Sequence, residues 1–598
     1  MTRRLLALAF TAFVALTLWA QEAQKREMRT VWIATVSNID WPQTRGTGTA
    51  TINKQKKQLT DLLDGFVKAN MNSVCLQVRP MADALYKSSY EPWSSYLTGT
   101  RGQHPGWDPL AFAVEECHKR GLEINAWVNP YRFSNSSGND CNTAIDQNLK
   151  NSGMLMQVGN RIVFNPALKA SRDHLLKVCK EMIQNYDIDG IIFDDYFYPG
   201  GGTPEDSSAP DYQLYTQSNS GMSIGDWRRA NVNQMVKDMW DMVQATKPYV
   251  KFSIGPAGVA GQRSTSATKH GVVPVDEYCR ASDWQYTTIY SDPLAWLEEG
   301  TIDYISPQLY WKTNHTTNPF GPLTNWWSYI AEHFGRHHYA SHNIYFMEKT
   351  NTKADWDEIL QQIRYSRQYN RQNAPGVNFY SAKYIDGPTC KGLADYLSQT
   401  LFTHKALEPA MPWHSKTNYD APANLAYSGG TLSWTGVNKK LVRYSVYAVP
   451  LTVTLDEAQS QAFDGIKSDY LVGVTYTPSF KLDASLQSGY WYAVCVVDGW
   501  NNEFAPAFYN LATEYADKVT LVSPIAGAAA TWNQQFAWTA ADGATYELQI
   551  SDDASFGNVL IQRKQITSNT TTIDLGDLAS GQTYYWRVAT PQPNRLVM

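Results

Sequence analysis

Between Glu27 and about His414 the chain repeats one alternation: a short apolar run, a polar segment, then a stretch with the helical spacing of apolar residues. Eight such runs can be read: Arg29–Val36, Ser73–Val78, Glu123–Val128, Gly190–Phe193, Lys251–Gly255, Ile302–Ser306, Asn343–Met347 and Gly376–Tyr380. The seventh is the least regular, lying somewhere among His337–Met347. Strands covered on both faces lose the in–out alternation of a half-exposed strand, so these runs predict parallel strands wrapped by helices. Eight strand–helix units close into a (β/α)8 TIM-type barrel, which occupies about 250 residues or more. The helices are visible too. Val232, Met235, Val236, Met239, Trp240 and Val243 make one buried stripe that ends at Lys247, before Pro248. Another helix runs from about Asp108 to Arg120 and closes at Gly121.

After Pro412 helical spacing gives way to short alternating strands bounded by Gly, Asn, Asp and Ser. Leu432-Ser-Trp434, Arg443–Val449 and Tyr490–Val494 belong to one module, residues 420–513; Phe536-Ala-Trp538, Tyr546–Ile550 and Tyr584–Val588 hold corresponding places in a second, residues 517–598. An early core Trp and a late Tyr-rich strand predict two all-β, fibronectin III- or immunoglobulin-like sandwiches, the second expected to stop short of its last strand and both read as spacers. At the other end Arg3 and Arg4, the apolar run Leu5–Trp19 and Ala20 have the order of a secretory signal peptide, residues 1–20; the run is too short to span a bilayer. The mature protein is expected to be exported, to the periplasm or cell surface, without a transmembrane segment. A net charge of −5 without long charged runs argues against a nucleic-acid partner. Seven cysteines lack short metal-type spacing, so no metal or cofactor is expected; Cys141, in a polar loop, could pair, and the odd total leaves at least one thiol free or bonded to another chain.

In a parallel barrel, chemistry gathers where strands end. Asp40 and Trp41 follow the first run; the second continues through Gln77 and Arg79 into the loop holding Asp83; Asn129, Tyr131 and Arg132 follow the third; Asp194, Asp195 and Tyr196 the fourth; Gln308, Tyr310 and Trp311 the sixth; Glu348 the seventh. Such a ring of carboxylates, amides, arginines and aromatics suits a polyhydroxylated ligand. The sharpest segment is Asp189–Pro199, with two adjacent acids after a buried strand and a Gly/Pro/Ser/Asp-rich loop, a potential lid, running on to about Gly221. Ionising both acids in a half-buried mouth is costly, so one is expected to hold a proton. Glycoside hydrolysis needs that division between an acid and a carboxylate. Neighbours on a strand point to opposite faces, so one aspartate enters the pocket while the other braces it; Asp195 is favoured for catalysis, with Glu348, Asp40 or Asp83 as the second acid. Arg79 and Arg132 are positioned to meet a carboxylate on the substrate, or to form ordinary salt bridges.

At these residues the chain resembles the bacterial glycosyl hydrolase-like family 10. The matches are Arg26–Ala34, Asn38–Pro42, Gln77–Pro80 with Asp83–Tyr86, Trp93-Ser94, Leu97–Gly99, Ala126–Arg132, Phe193–Pro199, Asp226–Val232 and Ile302–Trp311. The resemblance implies a TIM-type barrel, an envelope glycosidase acting on peptidoglycan strands stripped of their stem peptides, and a functional Asp-Asp pair at Asp194 and Asp195. From about Phe334 to Asn373 the match is loose, so Glu348 draws no support from it. Hydrolysis of another polysaccharide, and carbohydrate binding without turnover, are the rival readings.

Overall fold

The computed structural model describes residues 24–597 apart from 136–137, 139, 281–282, 373, 388–389, 415–417, 438–440, 451–452, 454–467, 488, 510–518, 540–545, 555, 557 and 593–594. The expected leader, residues 1–20, lies outside the described residues.

In chain order the first strands are β1 (Met28–Ile33), β2 (Ser73–Arg79) and β3 (Glu123–Val128). β4 (Arg132–Ser134), β5 (Leu155–Val158) and β6 (Arg161–Phe164) form a small antiparallel sheet inserted after β3. β7 (Gly190–Phe193), β8 (Lys251–Ile254), β9 (Tyr304–Ile305), β10 (Gln308–Leu309), β11 (His337–His338), β12 (Ala340–Asn343) and β13 (Gly376–Tyr380) complete the set. The main sheet is parallel throughout, in the order β10-β12-β13-β1-β2-β3-β7-β8-β9-β11. β9 and β10 are one segment interrupted at Ser306-Pro307, where proline supplies no N–H. β11 and β12 are likewise one segment, interrupted at Tyr339. Hydrogen bonds from Tyr339 N–H to the Ile305 carbonyl and from Ser341 N–H to the Pro307 carbonyl, both 2.9 Å, carry the ladder across the interruptions. The sheet therefore curls until its two ends meet, in a TIM-barrel-like arrangement.

The seventh strand lies at His337–Asn343, earlier than the apolar run Asn343–Met347 suggests, and Tyr345–Glu348 is a 3-10 turn. The strand hides because its buried positions are polar and partly paired within the core, while the Nε2 atoms of His338 and His342 meet no partner among the described residues. His342 Nδ1 pairs with Gln362 Oε1 at 3.0 Å, and Ser341 Oγ accepts from Trp32 Nε1 at 3.2 Å. Burial pushes His337, His338 and His342 down to about 3, so these imidazoles pack as neutral rings.

Strand alternation sorts side chains into two apolar groups. Val31, Ile33, Ile191 and Phe193 point outward to the helices; Trp32, Cys75, Trp127, Ile192 and Tyr304 fill the lumen. The helices follow local signals: Ser223 caps Ile224–Thr246 and Asp108 caps Pro109–Lys119. All seven cysteines are buried.

Each C-terminal module is a three-stranded sheet packed on a four-stranded one. In the first, Leu432 and Trp434 meet Tyr444, Val446, Tyr492 and Val494; in the second, Phe536, Trp538 and Ile573 meet Leu548, Ile550 and Val588. In the second module Arg595–Val597 pairs with Tyr585–Gln592. The first module does more than follow the barrel. Its strands Arg443–Pro450 and Tyr490–Val497 are buried on both faces, one face against their partner sheet and the other beside Leu407. The module closes the end of the barrel where strands begin. Arg443 pairs with Glu123, the first residue of β3, at 2.8 Å and with Glu408 at 2.9 Å, while Lys251, the first residue of β8, also meets Glu123 at 2.5 Å. Tyr476 donates to Asp189 at 3.0 Å and stacks on His118.

Candidate functional site

At the opposite end, where strands finish, Asp194 continues the inward face of Ile192. Its carboxylate accepts from Trp127 Nε1 at 3.0 Å and from Asn129 Nδ2 at 3.1 Å, so neighbouring β3 supplies both donors. Burial raises the Asp194 carboxyl above its ordinary range, opposed by Arg132 and by these donors. Asp195 is half-buried, and burial together with the charge of Asp194 pushes it up to about 7. Gln308, whose amide also donates to the Gly255 carbonyl at 3.0 Å, hydrogen-bonds Asp195. Tyr196, Tyr310 and Tyr380 close round the pair: Tyr310 and Tyr380 sit 5.6 Å apart by ring centroid, and both aspartates help to hold the Tyr310 phenol well above its normal range, after burial and Tyr380. The arrangement places a readily protonated acid beside a braced carboxylate in an aromatic mouth.

Trp127→Phe removes one donor to the charged form of Asp194. The acidic limb of a pH–rate profile is expected to rise by about half a unit to one unit. An unmoved limb would show that Asp194 does not titrate in the catalysed step.

Several sequence candidates serve the frame rather than the opening. Trp41 is fully buried and donates to the Gln55 carbonyl at 2.8 Å; Tyr131 is fully buried in the outer core. Gln77 Oε1 accepts from the Thr35 and Val36 amides at 3.0 and 2.8 Å. Arg79 is buried against Glu91 at 2.5 Å, so the salt-bridge alternative holds for it. Asp83 meets Arg101 at 3.3 Å and the Met81 amide at 3.1 Å. Asp40 accepts from the Ala34 and Lys383 amides and from Ser381 Oγ at 2.7, 3.0 and 2.9 Å; burial pushes it up to about 6. With those oxygens engaged, Asp40 and Asp83 tie loops together. Glu348 is not brought to the aspartate pair: its side chain is 63% exposed and meets Lys383 at 3.5 Å and Tyr384 at 3.1 Å. It sits on the turn after the misplaced strand, which is why reading strand ends selected it.

Two cavities flank Tyr196 and its loop. One, of about 210 Å³, is lined by Arg132, Ser134, Asn135, Arg161 and Tyr196–Gly200. The other, of about 410 Å³, is lined by Trp284, Gln285, Trp311, Arg280 and Asn318. Trp284 stands between them, and a Cβ at Gly200 would come within 3.1 Å of its ring. A Cβ at Gly258 would come within 2.4 Å of the Gln308 carbonyl, so this close approach also requires glycine. Trp284 and Arg161 escape a reading of strand ends because they arrive on long βα insertions. The loop after Pro199 is clamped at its base: buried Arg228 binds Asp211 at 2.6 Å, the Pro204 carbonyl and the Tyr290 hydroxyl at 2.7 Å each.

The profile of the family described as glycosyl hydrolase-like 10 matches residues 27–357. Glycosyl hydrolase YngK of Bacillus subtilis (strain 168) is 38% identical over 431 residues, covering 69% of this chain and 80% of that protein. Glycosyl hydrolase DigH of Escherichia coli (strain K12) is 31% identical over 352 residues, covering 56% and 77%. Among solved structures, the PgaB (BpsB) glycoside hydrolase domain from Bordetella bronchiseptica aligns with a TM-score of 0.39 at 13% identity, over 59% of this chain and 94% of that one. The endo-beta-1,4-mannanase from Thermotoga petrophila aligns with a TM-score of 0.36 at 10% identity, over 81% and 97%.

Proposed function

We propose, for a chain that belongs to the glycosyl hydrolase-like 10 family, that it hydrolyses glycosidic bonds in bacterial cell-wall glycan, acting after export on peptidoglycan strands stripped of stem peptides. The observation that carries a hydrolytic reading is the pairing of Asp195, which holds a proton up to about pH 7, with Asp194, whose charged form is braced by Trp127 and Asn129. Asp195 is the general acid that protonates the leaving oxygen. The β modules are read as fibronectin III-like, the first serving the barrel as a buttress.

None of the three other candidate acids is offered to this pair: Asp40 and Asp83 are engaged by loop groups and Glu348 is tied outside. The amino-sugar substrate supplies the missing nucleophile. Its 2-acetamido oxygen attacks C1 as the glycosidic C1–O bond breaks, and Asp195 gives its proton to the departing oxygen. Asp194 accepts the amide N–H of the oxazolinium intermediate. Asp195, now a carboxylate, takes a proton from the water that adds to C1 and restores the acetamide.

Purified protein incubated with peptide-stripped strands is expected to release short oligosaccharides, and to leave a panel of other polysaccharides intact. De-N-acetylated strands should turn over at least about a hundredfold more slowly. Cleavage of a panel polysaccharide in place of the strands overturns the substrate. Binding of strands without cleavage overturns the hydrolase in favour of a carbohydrate-binding protein.

A further inference from the structure

We propose that Arg132 and Arg161 form a receptor for a carboxylate carried by the glycan, so that the site selects strands by the acid group exposed when a stem peptide is cut from its sugar. This rests on the cell-wall reading above and adds the feature of the strand that is recognised.

The two guanidinium groups come from separate elements of the inserted sheet. Arg132 opens β4 and Arg161 opens β6, and the antiparallel pairing of these strands, with Arg132 opposite Val163, brings both to the 210 Å³ cavity beside Tyr196. The Arg132 guanidinium lies over the Tyr196 ring, 4.1 Å from its centroid. Stacking on the ring occupies a face of the guanidinium and leaves its hydrogen-bonding edge directed sideways. Arg161 is exposed, and its Nη1 reaches 3.8 Å from where a Gly200 Cβ would stand, so it hangs over the loop that starts at Asp195.

Other arginines of the barrel have their own acids: Arg79 has Glu91 at 2.5 Å, Arg101 has Asp146 at 2.9 Å and Arg228 has Asp211 at 2.6 Å. Arg132 and Arg161 have no carboxylate within salt-bridge distance among the described residues. Arg132 lends its charge to the aspartate pair from a distance and Arg161 stands exposed, so a planar anion entering the concavity would meet two guanidinium groups that no carboxylate of its wall engages. Ser134 and Asn135 on the same wall supply further polar groups, while Phe197, Tyr198 and Pro199 make the remainder unyielding. An amide in the same place brings no charge and carries a peptide into that wall. The reaction that must supply this substrate is therefore hydrolysis of the amide joining the sugar's ether-linked acid to its peptide.

The test separates recognition from turnover. In an Asp195→Asn background, which holds the strand uncut, binding of peptide-stripped strands is titrated by calorimetry in the free-acid form and as the carboxyl methyl ester. The acid form should bind about 10- to 100-fold more tightly, and adding Arg161→Gln should erase the difference while ester binding stays constant. Arg161→Lys should restore part of it. With Asp195 intact, Arg161→Gln should raise KM for acid strands with kcat nearly unchanged. Equal binding of acid and ester, an equal loss of both in Arg161→Gln, or no binding of either overturns the receptor. A preference for the acid in a protein that cleaves nothing keeps the receptor and removes the hydrolase.

Discussion

Asp195→Asn is expected to lower strand cleavage by about 10²- to 10⁴-fold and, at pH 8, to leave a protein more stable than the wild type. Both effects come from one property. Burial and the neighbouring charge of Asp194 hold Asp195 at about 7, well above an unfolded aspartate. A raised folded pKa contributes stability that is complete below the unfolded value of about 4 and is lost as pH rises through 7. At pH 8 the wild type carries a charge that its surroundings resist, at a cost of about 2–4 kcal/mol. The amide keeps the shape and hydrogen-bonding capacity and never ionises, so the variant avoids that cost. Its advantage should shrink steadily between pH 7 and 4. Urea unfolding at pH 4, 6 and 8, run beside strand hydrolysis, reads both effects. A stability gap of the same size at all three values would mean that Asp195 titrates normally, and the acid role would go with it. The wild-type rate should correspondingly decline on the alkaline side as Asp195 loses its proton near 7.

Sequence alone carries much of the barrel's frame and less of the candidate site. β3, β7 and β13 stand where their apolar runs lie, because strands buried on both faces must be written in apolar residues. His337–Asn343 breaks that rule through local pairing: Gln362 engages His342 Nδ1 and Ser306 engages Ser341 Oγ, so the buried strand reads as polar. Glu348 is the direct casualty, chosen as the residue after a strand that ends five positions earlier at Asn343. Strand ends also select side chains without revealing their direction. Gln77 and Arg79 end β2 and Asp83 follows it, yet they turn back on Thr35, Glu91 and Arg101. Spacing along one strand cannot report partners that arrive from other loops. Trp127 shows the converse: a tryptophan inside an apolar run fills the lumen, and its one polar atom holds Asp194.

The first β module presents the other large effect. Arg443→Met is expected to destabilise the barrel and module together by about 3–5 kcal/mol, although it lies at the end of the barrel away from the aspartates. Arg443 is fully buried between Glu123 and Glu408, with Lys251 on the far side of Glu123. Methionine fills the volume but leaves Glu408 without its cation, and burial, helped by Glu123, already pushes Glu408 up to about 7. The remedy open to the variant is to protonate that carboxyl. Since Glu408 has a raised folded pKa, the contribution it makes is present below about 4.5 and lost as pH rises through 7 and beyond; the damage from Arg443→Met should therefore be greatest at pH 8 and smallest near pH 5. Arg443→Met with Glu408→Gln should recover part of the loss at pH 8, because neither side then holds an unmatched charge. Chemical unfolding followed by tryptophan fluorescence measures all three proteins. Since Trp500 of the module hydrogen-bonds the Pro248 carbonyl of the barrel at 3.0 Å, loss of the joint should appear as one cooperative transition moving to lower denaturant. Two separate transitions, with the barrel's unchanged, would make the module a tethered neighbour; a single shifted one makes it the floor on which the aspartate end is built.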